Sequence, residues 1–493
     1  MASRRHALYS LAAGAVGLAA TGVAAAQPPE LLIRRARVVN ADGERDADVR
    51  IVGETIAEVG NNLRPSANTR IIDAAGRLLL PGGIDPHTHL HPSFADDLTS
   101  GSMAALAGGI TTVGTFANAT AKETIAGAVE RMAARVRSEA IADVILHAAA
   151  WPPSAETAAA MNTLAAIGQP SFKVFLTRQD AGARVADLIT QLEHARAAGV
   201  VTLMHCEDGA LLAAAVRRLE ADGRTSLRDY AASRPVVAET AATQQAASLC
   251  ESTGAPIYLV HLSSARALAI CRAARAAARL PLFVETRPMY LHLTIEKMRG
   301  PDAPLYVGQP PLREEADRSA LWQGLRDGAI DVLATDHAPW TRAQKLDPAL
   351  TITRLRPGVS DLQFMLPMYF SEGVHGRRLP LPRFVAHTST NAARIFGLYP
   401  RKGVIQPGAD ADIAIWDPNR ADVVRAEADH SKADYSVYEG WKVRGWPVTT
   451  IRRGEIVFDA GTIAGSAGTG QLIGRQPWRP LPADVRKGSD PDF

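Results

Sequence analysis

Cysteine is scarce in this chain: its 493 residues include three, Cys206, Cys250 and Cys271. So odd and widely spaced a set excludes a disulfide framework and offers no zinc-finger spacing, so these thiols are expected to be buried. Charge of one sign is lacking as well. Lysine and arginine number 54 against 51 acids, a formal net charge of +3. The basic residues are scattered, and the densest run, RRARVVN from Arg34, reads as the exposed face of a strand. No nucleic-acid or membrane-surface partner is therefore expected. There is no phosphate loop and no short internal repeat, and beyond residue 26 no run is a transmembrane candidate.

The first 26 residues differ from the rest. MASRRHALYSLAAGAVGLAATGVAAA has a basic start, a mildly apolar Ala/Gly/Leu stretch and small residues at Ala24, Ala25 and Ala26 before Gln27, which is the layout of an export signal. Ser3-Arg4-Arg5-His6-Ala7-Leu8 resembles a twin-arginine signal, although Ala7 stands where a bulky residue is usual and Tyr9 where lysine is common. The expectation is a periplasmic protein, exported already folded, that starts near Gln27. So weakly apolar a stretch argues against an uncleaved anchor, leaving no stable membrane span after processing.

What remains is ordinary globular material, 47% hydrophobic and 21% charged, enough for one barrel-sized domain and a smaller one. From Gly82 onward short apolar runs alternate with longer Ala/Leu/Arg-rich stretches of helical period. The runs are GGIDPHTH, ITTVGTFA, DVILHAAA, SFKVFL, VVTLMHCE, PIYLVHLS, PLFVETRP and IDVLATDHA. Eight such alternations predict an α/β fold, a (β/α)8 TIM-like barrel over 81–395. The flanks, 27–80 and 396–465, read as short β-runs expected to pair into one small β-sandwich, and 466–493 as an extended or disordered tail.

Such barrels place their chemistry at the C-terminal ends of the strands. That rule sorts the polar residues: His87 and His89 end the first strand, His205 the fifth, His261 the sixth and Asp336 the eighth, with Lys173 inside the fourth. His87 and His89 are two apart, and on an extended chain both imidazoles face one side, half of a metal site. A lysine within SFKVFL would be a costly buried cation if it pointed inward unmodified. An isolated strand lysine usually snorkels or pairs with an acid. With four histidines on the same rim, addition of carbon dioxide to the amine explains it better, because the resulting carbamate can bridge two metal ions. Two divalent ions against the carbamate, Asp336 and a bridging hydroxide leave a net +1. The mixed nitrogen and oxygen donors suit Zn2+, and cobalt, manganese or iron also fit.

The fragments PGGIDPHTHL, SFKVFLT, HCEDGALL, YLVHLSSARAL, ETRPMYLHLT, PPLRE, ATDHAPW and GADADIAIWDP, in this order between about residues 31 and 460, resemble the dihydropyrimidinase and hydantoinase family of the amidohydrolase superfamily, the cyclic amidases. The resemblance implies a hydrolase of carbon-nitrogen bonds other than peptide bonds, holding two divalent metal ions. His87, His89, carboxylated Lys173 and Asp336 would hold the more buried ion, and Lys173, His205 and His261 the outer one. A bridging hydroxide would attack the cyclic amide, with Asp336 as general base and then acid. It also implies a small-molecule substrate and a homotetramer or other homo-oligomer.

The resemblance breaks at the substrate contacts. Where the family carries a tyrosine that donates to the oxyanion, this chain has Arg178; a ring-reading serine is Gln309; and an expected asparagine is absent near Arg354. His91 stands where the dihydroorotase relatives carry a carboxylate-gripping arginine, and Pro92 turns the chain away, so His91 is expected on the pocket rim and not as a ligand. Arg178, with Arg354 or Arg356, would suit a substrate bearing an anionic group. The alternatives are an amidohydrolase of linear amides such as N-acyl amino acids or dipeptides, and a non-catalytic family member, against which the complete ligand set argues.

Overall fold

The computed structural model describes residues 29–480. The expected export signal at 1–26, and residues 481–493 of the expected tail, lie outside the described residues. The chain opens with five strands, β1 (Glu30–Asn40), β2 (Gly43–Val52), β3 (Thr55–Gly60), β4 (Arg70–Asp73) and β5 (Leu78–Pro81). Eight barrel strands follow: β6 (Gly83–Asp85), β7 (Ile110–Asn118), β8 (Asp143–Ala149), β9 (Ser171–Phe175), β10 (Val201–His205), β11 (Ile257–Leu259), β12 (Leu282–Thr286) and β13 (Val332–Leu333). Then come β14 (Ile413–Val423), β15 (Lys442–Arg452), β16 (Glu455–Asp459) and β17 (Thr462–Ile463).

The barrel strands run parallel in chain order, each hydrogen-bonded to the next. A parallel bridge between Thr88 and His337 joins the last to the first. Six of the eight runs are buried along their whole length, apart from the terminal Asn118 of β7, which is why they read as continuous apolar segments rather than alternating ones. Ile84, Ile145, Leu203, Tyr258, Val260 and Val332 fill the lumen, so the barrel is a packed core with chemistry only at its mouth. Helices cover the outside by the usual logic. The helix Ile125–Glu139 starts at Thr124, whose hydroxyl accepts from the Gly127 N–H, and buries Ile125, Val129, Met132 and Val136 at helical spacing. Among the described residues no helix is long and apolar enough to cross a membrane.

Both chain ends build a second unit, a nine-stranded sheet in the order β17-β16-β15-β14-β5-β1-β2-β3, with β4 parallel to β1. β5 and β14 stitch the ends together antiparallel, with Leu79 opposite Ile415. The sheet has a core of its own, including Ile33, Val49, Ile51, Ile413 and Ile451. Lys402, Asp143, Asp410 and Asp412 form a buried ionic joint between sheet and barrel.

Residues 464–480 run as an extended strap across the N-terminal floor of the barrel. The strap pairs with the chain at Val144 and donates from Arg475 N to Gly168 O, from Gln476 N to Gly397 O and from Trp478 N to Gly199 O. Glycine is required beneath it: Gly397 and Gly199 have φ of 73° and 67°, and a Cβ would lie 1.9 Å from Gln476 O and 2.7 Å from Trp478 O.

Candidate metal centre

The first strand stops hydrogen bonding at Asp85, so His87 and His89 sit on the extended segment beyond it, held by the Thr88 bridge and by the His89 N–H, which donates to His337 O at 2.7 Å. The i, i+2 geometry survives, and both Nε2 atoms converge on Asp336 Oδ1, at 3.3 Å from His87 and 2.9 Å from His89. These three ligand atoms all lie within 4.8 Å of one another. Lys173 Nζ, buried in β9 between the rings of Phe116 and Phe175, lies 3.5 Å from His87 Nε2. His205, at the end of β10, and His261, past the end of β11, face each other with His261 Nε2 3.1 Å from His205 Nδ1.

Two of the imidazoles are oriented by a carboxylate behind them. His87 Nδ1 is 2.8 Å from Glu285 Oε1, leaving Nε2 for the mouth. His205 Nε2 is 2.7 Å from Glu207 Oε2, leaving Nδ1. Arg234 forks onto Glu207 from behind; burial alone would raise that carboxyl, but Arg234 and then His205 hold it down to about 2. Glu285 Oε1 also accepts the His261 N–H at 2.7 Å, so one carboxylate oxygen anchors two of the predicted ligands. Carboxylates in this position fix the ring tautomer of metal-binding histidines.

Two predicted ligands adopt left-handed backbone: His261 has φ 41° and Asp336 φ 49°. Strain at non-glycine residues of this kind costs about 1–3 kcal/mol each and persists only where the surroundings impose it. Here they do. Arg287, fully buried at the end of β12, donates from Nη1 to Asp336 Oδ2 at 2.9 Å. Burial would raise the Asp336 carboxyl, but Arg287, His87 and His89 hold it well below the usual carboxylate range.

The donor set fits divalent ions. Burial, followed by Lys173 and His205 respectively, pushes His87 and His261 well below the usual histidine value, so these rings keep neutral lone pairs for a cation. His261 Nδ1 is buried with no hydrogen-bond partner among the described residues. Burial pushes the Lys173 amine down to about 8. The six ligand residues predicted from the sequence, His87, His89, Lys173, His205, His261 and Asp336, thus meet at one mouth.

The predicted substrate contacts lie further out. Arg178 is exposed just past β9, on the rim. Gln309 is half-buried in a loop held by Tyr230 Oη, which donates to Gly308 O at 2.9 Å, and Tyr290 Oη, which donates to Pro310 O at 2.6 Å. Arg354 is exposed in a turn closed by its own N–H on Thr351 O. His91 is exposed, its Nδ1 2.9 Å from Ser93 Oγ. Sequence reasoning missed Glu207, Glu285, Arg234 and Arg287. The signal for the two glutamates was there, since each is an acid inside an apolar strand run, as unusual as Lys173.

Comparison with known proteins agrees with this geometry. The model for the amidohydrolase family matches residues 78–457. A D-phenylhydantoinase of Escherichia coli is 34% identical over 461 residues, covering 91% of this chain and 99% of that protein. Among solved structures, the dihydropyrimidinase of Brevibacillus agri NCHU1002 superposes with TM-score 0.86 at 31% identity, covering 92% of this chain and all of that one. A D-hydantoinase from a Bacillus sp. AR9 gives 0.88 at 33%, covering 91% and 100%.

Proposed function

Because the chain belongs to the amidohydrolase family, we propose that it is a metal-dependent hydrolase that opens a cyclic amide of the hydantoin or dihydropyrimidine type, giving an open-chain N-carbamoyl product. The observation that carries this reading is the convergence of His87, His89 and Asp336 ligand atoms beside Lys173 Nζ at the mouth of the barrel. His87, His89, Lys173 and Asp336 would hold one divalent ion, and Lys173, His205 and His261 a second, with Zn2+ suited to these donors. Ions so held supply a Lewis acid for the amide carbonyl and a water that ionises near neutral pH.

Lys173 serves as its carbamate. Burial lowers the amine to about 8, so a useful fraction is neutral at physiological pH. Carbon dioxide then forms the N–C bond with the neutral amine and one proton leaves, giving the carbamate anion; starting from the ammonium form, two protons leave in all. Asp336 moves the proton: Arg287 holds Oδ2, so Oδ1 is the atom that accepts a proton during attack on the carbonyl and returns it to the ring nitrogen as the C–N bond breaks. Phe116, Phe94 and Trp340 pack in sequence beside His89 and shield that side from water. Arg178 on the rim, with Arg354 or Arg356, would engage an anionic substituent of the substrate. The protein would work as a homo-oligomer, tetrameric as in the resemblance, in the periplasm.

The test is ring opening of dihydrouracil and of neutral and carboxylated 5-substituted hydantoins by the chain from Gln27, prepared with zinc and bicarbonate. Turnover that disappears in Lys173→Ala and Asp336→Ala is expected. Arg178→Ala should lose turnover of the carboxylated substrates selectively, and equal effects on both classes would remove the anionic-substrate idea. No turnover of any cyclic amide by metal-replete protein would overturn the reading and direct attention to linear N-acyl compounds.

A further inference from the structure

The strap carries a residue that its place in the fold does not require. Arg475 is buried on the barrel floor, 3% exposed, with no carboxylate partner among the described residues. Its Nη2 donates to Leu146 O at 2.7 Å, Ser171 Oγ at 2.8 Å and Gln169 Oε1 at 3.3 Å, while Nε and Nη1 have no partner. Burial pushes this guanidinium down to about 9. An unpaired buried cation is costly, and an apolar side chain would close the floor without that cost.

What Arg475 touches leads upward through the barrel. Ser171 Oγ is 2.7 Å from His147 Nδ1, and His147 Nε2 is 2.8 Å from Pro86 O. The directions are fixed by chemistry. Pro86 O can only accept, so Nε2 carries the hydrogen; His147 is neutral, pushed well below its ordinary value by burial. Nδ1 therefore accepts from the Ser171 hydroxyl, whose lone pairs accept from Arg475. Ser171 lies two residues before Lys173 on the same face of β9, and Pro86 immediately precedes His87. The top of the column has no slack: a Cβ on Gly114 would lie 2.4 Å from Pro86 O and 2.6 Å from His147 Nε2.

We propose that Arg475 is a positioning residue for the metal centre, acting through Ser171 and His147 to fix the spacing of Lys173 and His87, so that the strap sets the ligand geometry from the opposite end of the barrel. The proposal rests on the metal-centre reading above. Loss of groups that orient ligands typically costs 10–100-fold in metal affinity.

The test uses the chain from Gln27 loaded with cobalt(II), reading cobalt affinity by chelator competition, the visible absorption spectrum and the melting temperature. Arg475→Met and Ser171→Ala should each weaken cobalt binding by roughly 10–100-fold and alter the spectrum, with partial rescue in Arg475→Lys. Trp478→Ala is the control. It removes strap packing against Phe283 without touching the column, and should lower the melting temperature while leaving affinity and spectrum unchanged. Wild-type affinity and spectrum in both column variants would overturn the proposal, as would an equal loss in Trp478→Ala. If Arg475→Met does not fold, Ser171→Ala decides. If the wild-type protein binds no cobalt, the metal-centre reading fails and takes this one with it.

Discussion

Replacing Lys402 with methionine should weaken the joint between the sheet and the barrel. The Lys402 ammonium is 1% exposed and lies 2.8 Å from Asp143, 3.1 Å from Asp410 and 2.5 Å from Asp412. Asp143 opens β8, whereas Asp410 and Asp412 immediately precede β14, so one cation holds both units. Other donors share the load: Arg453 Nε is 3.3 Å from Asp143, Arg401 Nε 3.0 Å from Asp410, and Thr111 Oγ1 3.1 Å from Asp412. Removing one partner of a buried ion pair costs about 3–5 kcal/mol, because the remaining charge is left without compensation. With an unfolding entropy near 2.1 cal/mol/K per residue, a body of about 450 residues melts roughly 1 °C lower per kcal/mol, so the expected shift is about 3–5 °C. A sheet unit of about 100 residues melting by itself would shift by roughly 14–24 °C. Scanning calorimetry separates the two outcomes.

The same substitution has a signature in pH. Burial would raise the Asp412 carboxyl, but Lys402 holds it below the usual value. A depressed folded value contributes stability above the unfolded pKa and loses it as pH falls through the folded one. The variant lacks that contribution, so its deficit should be full at pH 7 and shrink as the solution is acidified below about pH 4. An unchanged melting temperature at pH 7, or a deficit that grows on acidification, would refute the reasoning.

Other perturbations follow from single contacts. With its amine at about 8, Lys173 should gain its neutral form as pH rises, so reconstitution of metal-free protein with metal, at a fixed concentration of dissolved carbon dioxide, should accelerate from pH 7 to 9 and then level off. A rate still climbing tenfold per unit above pH 9 would place the amine at its ordinary value. Burial raises Glu285 to about 8, so the folded chain binds a proton there that the unfolded chain has lost. Metal-free protein should therefore lose stability as pH rises from about 4.5 to 8, and Glu285→Gln should flatten that slope in urea titrations. Lys345, buried, donates to the carbonyls of Val307, Arg356 and Gly358 at 2.9 Å each. Lys345→Met should loosen the loop bearing Gln309 and raise KM several-fold more than it lowers kcat, and an equal change in both would count against it.

The barrel was legible because its strands are buried on both faces, so the eight apolar runs stood out without homologues. The ligands were legible for the converse reason: His205, Lys173 and Asp336 are polar residues at or inside those runs, and the barrel rule says where such residues go. Glu207 and Glu285 lie in the same fragments; Glu207 serves His205, two residues before it, but Glu285 serves His87, 198 residues away, and no local pattern carries that second pairing. Arg475 was the least legible. It lies in a stretch of proline and polar residues that reads as a loose tail, and the strap's pairing with Val144 and Gly168, over glycines at 199 and 397 that leave it room, makes it part of the barrel.

The division between centre and rim has a physical basis. The left-handed residues His261 and Asp336 store strain that their anchors, Glu285 and Arg287, help to hold in place. Glu285 Oε1 serves His87 and His261 together, so the two halves of the centre cannot be altered separately. The Arg178 and Arg354 side chains, in contrast, are exposed and make no hydrogen bond to any of the six ligands among the described residues. Substitution there costs the centre nothing. A chain of this design could change its substrate by replacing rim residues while the six proposed ligands stay fixed.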